Sequence, residues 1–246
     1  MEFEGKRVLV TGGTRGVGRS IVEEFLKAGA RVAINGTSGA SVDKALAQLE
    51  GSGKVVPAPG DLGTIEGCRR TVDATLDGLG GIDVLVNNAG VNRDGPLLDM
   101  SEADWDQVLN VNLKGPMLLT QLAGKAMIEG SGGQIVNIAA VTGVQARANA
   151  VNYCCSKAGL LMLTKCAALE LAPSVRVNAI ALGFVHSKLV EEIYSDEQLA
   201  DIVAQTPVRR MAEPREVADL VLFLASEKSG FITGQTIIFD GGRVMR

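Results

Sequence analysis

Short runs of β-branched and aliphatic residues alternate along the chain with longer segments in which apolar residues return every three or four positions. The first run, Val8-Leu9-Val10, leads through a glycine-rich turn into Arg19 to Lys27, where Ile21, Val22, Phe25 and Leu26 share one helical face; Gly29 ends that helix. Strand Arg31 to Asn35 and helix Ser41 to Leu49 follow. Strand Lys54 to Ala58 comes next, then a helix marked by Cys68, Val72, Leu76 and Leu79. A fourth strand, Val84-Leu85-Val86, runs into Asn87-Asn88-Ala89-Gly90. Trp105, Val108, Leu109 and Leu113 predict one long helix from about Asp104 to Met127. Strand Gln134 to Ile138, a helix from about Ala150 to Leu171 and strand Val175 to Ala179 come after it. A polar segment from about Ser187 to Gln205, helix Glu213 to Ala225 and strand Thr236 to Phe239 complete the pattern.

The strands are apolar without alternation, as when helices cover both faces of a parallel sheet. The pattern predicts an α/β fold: a single Rossmann-type, doubly wound parallel sheet of about seven strands with helices on both faces. No linker, repeat or charge block divides residues 1–246, so one domain is expected. A TIM barrel has a similar length, but the glycine-rich turn after the first strand belongs to nucleotide-binding open sheets.

Composition narrows the chemistry. The 28 Asp and Glu outnumber the 24 Lys and Arg, and aromatics make up 4%, which argues against nucleic acid as a partner. One His, His186, and four Cys (Cys68, Cys154, Cys155, Cys166) argue against a His-rich metal site, a disulfide framework and, unless His186 is the base, a Ser-His-Asp triad. Without an apolar leader or a membrane-length run, a soluble, cytoplasmic protein is expected. Catalysis must then rest on Tyr, Lys, Asn, Ser or a cofactor.

Directly after the first strand stands Thr11-Gly12-Gly13-Thr14-Arg15-Gly16-Val17-Gly18. Gly12 permits a sharp turn, Gly16 a close approach to a pyrophosphate, and Gly18 tight helix packing, with the helix N-terminus aimed at the phosphates. Gly12, Thr14, Arg15, Gly16 and Val17 are candidate cofactor contacts. Tyr153 and Lys157, four apart, project from one helical face, where an ammonium beside a phenol lowers its pKa and makes it an acid-base group.

The TGxxxGxG spacing resembles the short-chain dehydrogenase/reductase family. So do Asp61, Asn87-Asn88-Ala89-Gly90, Asn110-Val111-Asn112, Tyr153-Cys154-Cys155-Ser156-Lys157, Arg176-Val177-Asn178-Ala179, Phe231-Ile232-Thr233-Gly234-Gln235 and Asp240-Gly241-Gly242. The pattern, with Gly90-Val91-Asn92-Arg93-Asp94, is most similar to 3-oxoacyl-carrier-protein reductases. The resemblance implies an oxidoreductase using a nicotinamide dinucleotide. The second strand ends Ile34-Asn35-Gly36-Thr37-Ser38 without the acid of NAD-selective sites, while Arg15, Thr37 and Ser38 can meet a 2′-phosphate, so NADP(H) is expected. By resemblance, Asp61 and Leu62 hold the adenine, Asn88, Ala89 and Gly90 line the adenosine side, Lys157 binds the nicotinamide ribose, and Asn112 positions Lys157 through a water. Gly183 and Val185 serve the carboxamide, and Ser187 takes the usual Thr position.

The family's catalytic Ser falls at Ala140, which donates nothing. Three explanations stand: a replacement that slows turnover, compensation by another hydroxyl such as Thr142, or a natural cofactor binder with little catalysis. The first is preferred, because restoring Ser gives Ile-Ala-Ser-Val, a common run in the family. Leu182 likewise replaces the family's Pro, removing a stiffening ring, and His186 is read as a loop residue. Substrate choice is assigned to a lid at about residues 187–210, with Leu189, Ile193, Leu199 and Ile202 on one face. The expected substrate is a small ketone or secondary alcohol. A 3-oxoacyl thioester is the alternative, although Ile128 to Gly133 lacks the basic residues that dock an acidic carrier protein. An NADP-binding regulatory or scaffold protein of weak activity is the alternative of another class. The resemblance also implies a homotetramer packed through the helices from about Asp104 and Ala150.

Overall fold

Val8 and Val10 turn to one face of the first strand and Leu9 to the other, and all three are fully buried. Helices cover both faces, so the strand reads as a continuous apolar run. The computed structural model describes residues 1–187, 190 and 194–245. Its strands are β1 (Arg7–Val10), β2 (Arg31–Ile34), β3 (Val55–Pro57), β4 (Val84–Asn87), β5 (Gly133–Ala140), β6 (Val175–Leu182) and β7 (Thr236–Phe239). All seven run parallel in the order β3-β2-β1-β4-β5-β6-β7, an open, doubly wound sheet and not a closed barrel. The winding reverses between β1 and β4, the switch point where such sheets bind ligands beyond their carboxyl ends.

The helices are α1 (Gly16–Lys27), α2 (Gly39–Ala47), α3 (Ile65–Leu79), α4 (Glu102–Leu109), α5 (Gly115–Glu129), α6 (Val151–Leu171), α7 (Asp196–Ala204) and α8 (Pro214–Ala225). On one face Ile21, Val22 and Phe25 of α1 join Val217, Val221 and Leu224 of α8 over Val8 and Val84. On the other, Val72 of α3 and Leu119 and Met127 of α5 cover Leu9, Leu85 and Ile135. Among the described residues no helix is long and apolar enough to cross a membrane, and no group of three or more His, Cys, Asp or Glu could hold a metal ion.

Several elements differ from expectation, among them strand β6, which runs past Ala179 to Leu182. The single helix from about Asp104 to Met127 is instead α4, a π-helical turn Asn110–Lys114, and α5. Pro116 explains the break: it has no amide to donate, and in a regular helix its ring strikes the carbonyl four residues earlier, that of Asn112. A widened turn relieves the clash. Strand β5 runs past Ile138, so Ala140 closes it in register with Leu182 of β6. In the expected lid, α7 starts with a capping box between Ser195 and Gln198, buries Ile202 and half-buries Leu199; Leu189 and Ile193 lie outside the described residues.

The two strands at the switch point are held by an ion pair at their opposite ends. The Arg7 amide and Nε donate to Asp83 Oδ2, both at 2.8 Å, and Nη2 donates to Oδ1 at 2.6 Å. Burial of Asp83 works to raise its pKa, but the hydrogen bonds and charge of Arg7 outweigh that and hold the carboxyl below its usual value. A depressed carboxylate stabilises the fold above its unfolded pKa, about 4, and loses that contribution as pH falls through the folded value. Asp83→Asn is expected to lower stability by about 2 kcal/mol at pH 7, less as the pH falls below about 4, as urea unfolding at both pH values will show.

Candidate active site

Every strand points its carboxyl end to one edge of the sheet, and the sequence-predicted site residues lie on the loops and helix starts at that edge. Beyond the ladder, buried backbone groups need other partners. Thr11 supplies one set: its Oγ1 accepts from the amides of Asn88 and Ala89 at 2.9 and 3.0 Å and donates to Val86 O at 3.2 Å. Asn88 Nδ2 in turn donates to Thr11 O at 2.8 Å. Past β2, buried Asn35 shares its Nδ2 among Ala58 O, Gly60 O and Thr71 Oγ1, each at 3.1 Å, while its Oδ1 accepts from the Gly12 amide at 3.3 Å. Sequence reasoning passed over Thr11 and saw Asn35 only as a missing acid. A polar residue directly after an apolar strand was the available signal.

Backbone closeness shapes the glycine turn. A Cβ on Gly18 would lie 2.2 Å from Gly12 O, and one on Gly12, whose φ is +61°, would lie 3.0 Å from Ala89 Cα. Only glycine lets α1, the turn and the Asn88 loop approach this closely. Gly16 faces open space. Arg15 is the exposed N-cap of α1, without a side-chain capping bond, and the first turn holds no acid. These first-turn amides lack a side-chain partner at the positive end of the helix dipole, a setting that fits the pyrophosphate of a dinucleotide. Thr14 and Val17 are half-buried nearby. Thr37 and Ser38 are exposed, and Ser38 caps α2 by accepting from the Ser41 amide at 3.4 Å. Gly36 before them is boxed in: a Cβ would lie 2.8 Å from Ser41 Oγ and 2.9 Å from Thr14 Cγ2, so no carboxylate fits there without displacing them. Asp61 is exposed, its Oδ1 accepting from the Gly63 amide at 3.0 Å; Leu62 is buried and Gly90 exposed.

Helix α6 carries Tyr153 and Lys157, and a relay of buried side chains sets its position. Asn87 Nδ2 donates to Asn137 Oδ1 at 2.8 Å, and Asn137 Nδ2 donates to Thr164 Oγ1 at 2.9 Å, joining β4, β5 and α6. Lys157 is buried, and its Nζ donates to Ile138 O at 2.9 Å. The same Nζ stands 5.6 Å from the Tyr153 ring centroid and 3.6 Å from where a Cβ on Gly90 would sit. Asn112, in the π-helical turn, accepts from the Val91 amide and donates to Val91 O, both at 2.8 Å, and donates to Ser156 Oγ at 3.2 Å. Gly90, Asn112, Tyr153 and Lys157 are therefore brought together, but the Asn112 carboxamide serves Val91 and Ser156 and does not point its bonds at Lys157.

Burial pushes the Tyr153 phenol up to about 12, against the charge of Arg147 and helped by Asp94; burial brings Lys157 down to about 8. Burial thus moves the phenol opposite to the lowering expected from the adjacent ammonium, whose Nζ is held by the Ile138 carbonyl. Ala140 is nearly buried at the end of β5. Thr142 lies in a tight 3₁₀ turn, Val141–Gly143, not on the extended path expected, and its Oγ1 is buried with no hydrogen-bond partner among the described residues.

Leu182, where the resemblance led to the expectation of a Pro, is held by strand pairing. Leu182 pairs with both Ala140 and Phe239, and the Gly183 amide donates to Phe239 O at 2.9 Å. Val185 bridges Ala212, the exposed His186 donates its amide to Ala212 O at 2.8 Å, and Ser187 Oγ accepts from the Val190 amide at 3.3 Å. Sequence reasoning missed Arg147 and Tyr194. Arg147 Nη2 bonds both Asp94 oxygens, at 2.8 and 2.9 Å, and Nη1 stands 3.4 Å from the Tyr194 hydroxyl. Single charges in loops carry no periodic signal.

A family model described as enoyl-(acyl carrier protein) reductase matches residues 12–243. The chain is 43% identical over 246 residues to the 3-oxoacyl-[acyl-carrier-protein] reductase FabG of Aquifex aeolicus, covering 98% of each chain. It is 39% identical over 247 residues to the reductase of the same name from Thermotoga maritima, covering both in full. Among solved structures, a short-chain type dehydrogenase/reductase from Mycobacterium marinum superposes with a TM-score of 0.93 at 33% identity, over all of this chain and 98% of that one. Identity at this level across the full length joins sequence descent to a shared fold, and the chain belongs to the short-chain dehydrogenase/reductase family of oxidoreductases.

Proposed function

We propose that the chain is an NADPH-dependent reductase acting between a ketone and its secondary alcohol, with Tyr153 giving the proton in reduction and taking it in oxidation. The observation that carries this reading is the meeting of Tyr153, buried Lys157 and Gly90 at the same sheet edge as the uncapped start of α1. The nicotinamide, when bound, supplies or accepts the hydride. The first-turn amides of α1 would hold the pyrophosphate, and Arg15, Thr37 and Ser38 the 2′-phosphate. The boxed-in Gly36 supports the latter, because a carboxylate there would repel that group. Asp61, Leu62, Asn88, Ala89 and Gly90 would line the adenosine side, Lys157 the nicotinamide ribose, and Gly183, Val185 and Ser187 the carboxamide.

A phenol pushed up to about 12 is protonated at neutral pH, so it is present there in the donor form that reduction requires. Tyr153 has no hydroxyl partner at Ala140, and loss of one such donor costs about 10²–10³ in rate. Two relatives named for 3-oxoacyl-carrier-protein reduction favour a 3-oxoacyl thioester as the ketone. Exposed Glu129 and the absence of any basic residue from Ile128 to Gly133 favour a small thioester over a carrier-bound one. A cytoplasmic homotetramer completes the proposal, supported by the exposed apolar Met162 and Leu169 on α6.

NADPH is expected to bind at least tenfold tighter than NADH, and Arg15→Ala to remove about tenfold from NADPH alone, in fluorescence titrations. Ala140→Ser should raise kcat with a 3-oxoacyl thioester by about 10²–10³. If Thr142 already supplies the hydroxyl, Ala140→Ser will do little and Thr142→Val will abolish turnover. The lowered Lys157 pKa means its charge is present below about pH 8 and lost above it, so the reduction rate should fall through a limb near pH 8. A rate flat to pH 10 would refute a role for the Lys157 charge.

A further inference from the structure

Among the described residues, the Asn112 carboxamide makes three hydrogen bonds, and they run to the loop after β4 and to the turn of α6 that carries Tyr153 and Lys157. Oδ1 accepts from the Val91 amide and one Nδ2 hydrogen goes to Val91 O, both at 2.8 Å, so a single side chain brackets that residue. The other Nδ2 hydrogen goes to Ser156 Oγ at 3.2 Å, and the Ser156 hydroxyl donates its own hydrogen to Tyr153 O at 2.8 Å. Every donor on this path is committed, which fixes the direction of each group. Asn112 and Ser156 are both fully buried, so water does not compete for these bonds. Gly90, next to Val91, borders both the bracket and the Lys157 ammonium: a Cβ on it would lie 3.4 Å from Asn112 Oδ1 and 3.6 Å from Lys157 Nζ.

We propose that Ser156 is a positioning residue for proton transfer: its hydroxyl passes the position of the Gly90-Val91 loop, taken up by Asn112, to the helical turn that bears Tyr153 and Lys157. The proposal rests on the proton role given to Tyr153 above. Helix α6 itself does not need the hydroxyl. Alanine is the stronger helix former, and a serine whose hydroxyl bonds back to a carbonyl one turn earlier adds nothing to the helix and tends to bend it. What the hydroxyl adds is the bond it accepts from Asn112, which links the wall beside Gly90 to the turn. Asn152 serves the same turn from its other end, with Oδ1 accepting from the Tyr153 amide at 2.7 Å and Nδ2 donating to Arg93 O at 2.9 Å. The loop after β4 is thus fastened to α6 on both flanks of Tyr153, and Ser156 is the fastening next to Lys157.

Ser156→Ala removes this link without adding bulk or weakening the helix, so the variant should fold. With acetoacetyl-CoA as the ketone probe, its kcat should fall about tenfold, while NADPH still binds every chain with an affinity within about twofold of the unaltered protein in fluorescence titrations. An unchanged kcat overturns the proposal, and so does a loss of NADPH affinity in step with kcat, which marks general damage to the site. A second reading needs no turnover. The chain has two tyrosines, so ¹³Cζ-tyrosine labelling of the full-length protein gives two resonances, told apart by Tyr194→Phe. The Tyr153 signal should move in Ser156→Ala, because the ring shifts with its turn. Loss of the hydrogen bond at the Tyr153 carbonyl alone would leave the ring signal in place, and that result also overturns the proposal. Full NADPH-dependent turnover by Tyr153→Phe would instead sink the proton role of Tyr153, a separate outcome.

Discussion

Where parallel strands end, their buried carbonyls and amides run out of ladder partners inside an apolar interior, and the active edge depends on side chains that replace them. Thr11, Asn35, Asn88 and Asn112 perform this task. Each closes the end of one element and ties it to the next. The Asn87-Asn137-Thr164 relay carries the constraint into α6, so the positions of Tyr153 and Lys157 follow from hydrogen bonds made some distance from either.

The same economy of buried polar groups shapes the electrostatics. Enclosing a phenol and an amine together disfavours both charged forms, raising one and lowering the other. Such a pair begins as neutral phenol and easily discharged ammonium, an arrangement suited to delivering a proton. Ala140 adds no donor to that chemistry, while Thr142 keeps a buried hydroxyl without a partner among the described residues in the adjoining turn.

Much of the fold was legible because its signals are local. The seven apolar runs matched seven strands, and Gly12, Gly18 and Gly29 marked turns that a side chain would obstruct or strain. The break at Pro116 was legible too, since proline inside a helical pattern removes a donor and crowds a carbonyl, but the apolar spacing on either side masked it. Of the candidate site, the glycine turn and the Tyr153-Lys157 spacing could be read from residue order. Arg147 and Tyr194 could not, because Arg147 meets Asp94 and Tyr194 from segments far apart in the chain.

The sequence by itself determined the period of each element, the glycines that permit close backbone approach and the kinds of side chain available for chemistry. These depend on neighbours within a few residues. Tertiary structure alone decided the direction of the Tyr153 shift, the commitment of Asn112 to Val91 and the pairing of Leu182 on both sides of β6. The reason is physical: desolvation and hydrogen-bond competition depend on everything packed around a group, and for these residues that surrounding comes from distant parts of the chain.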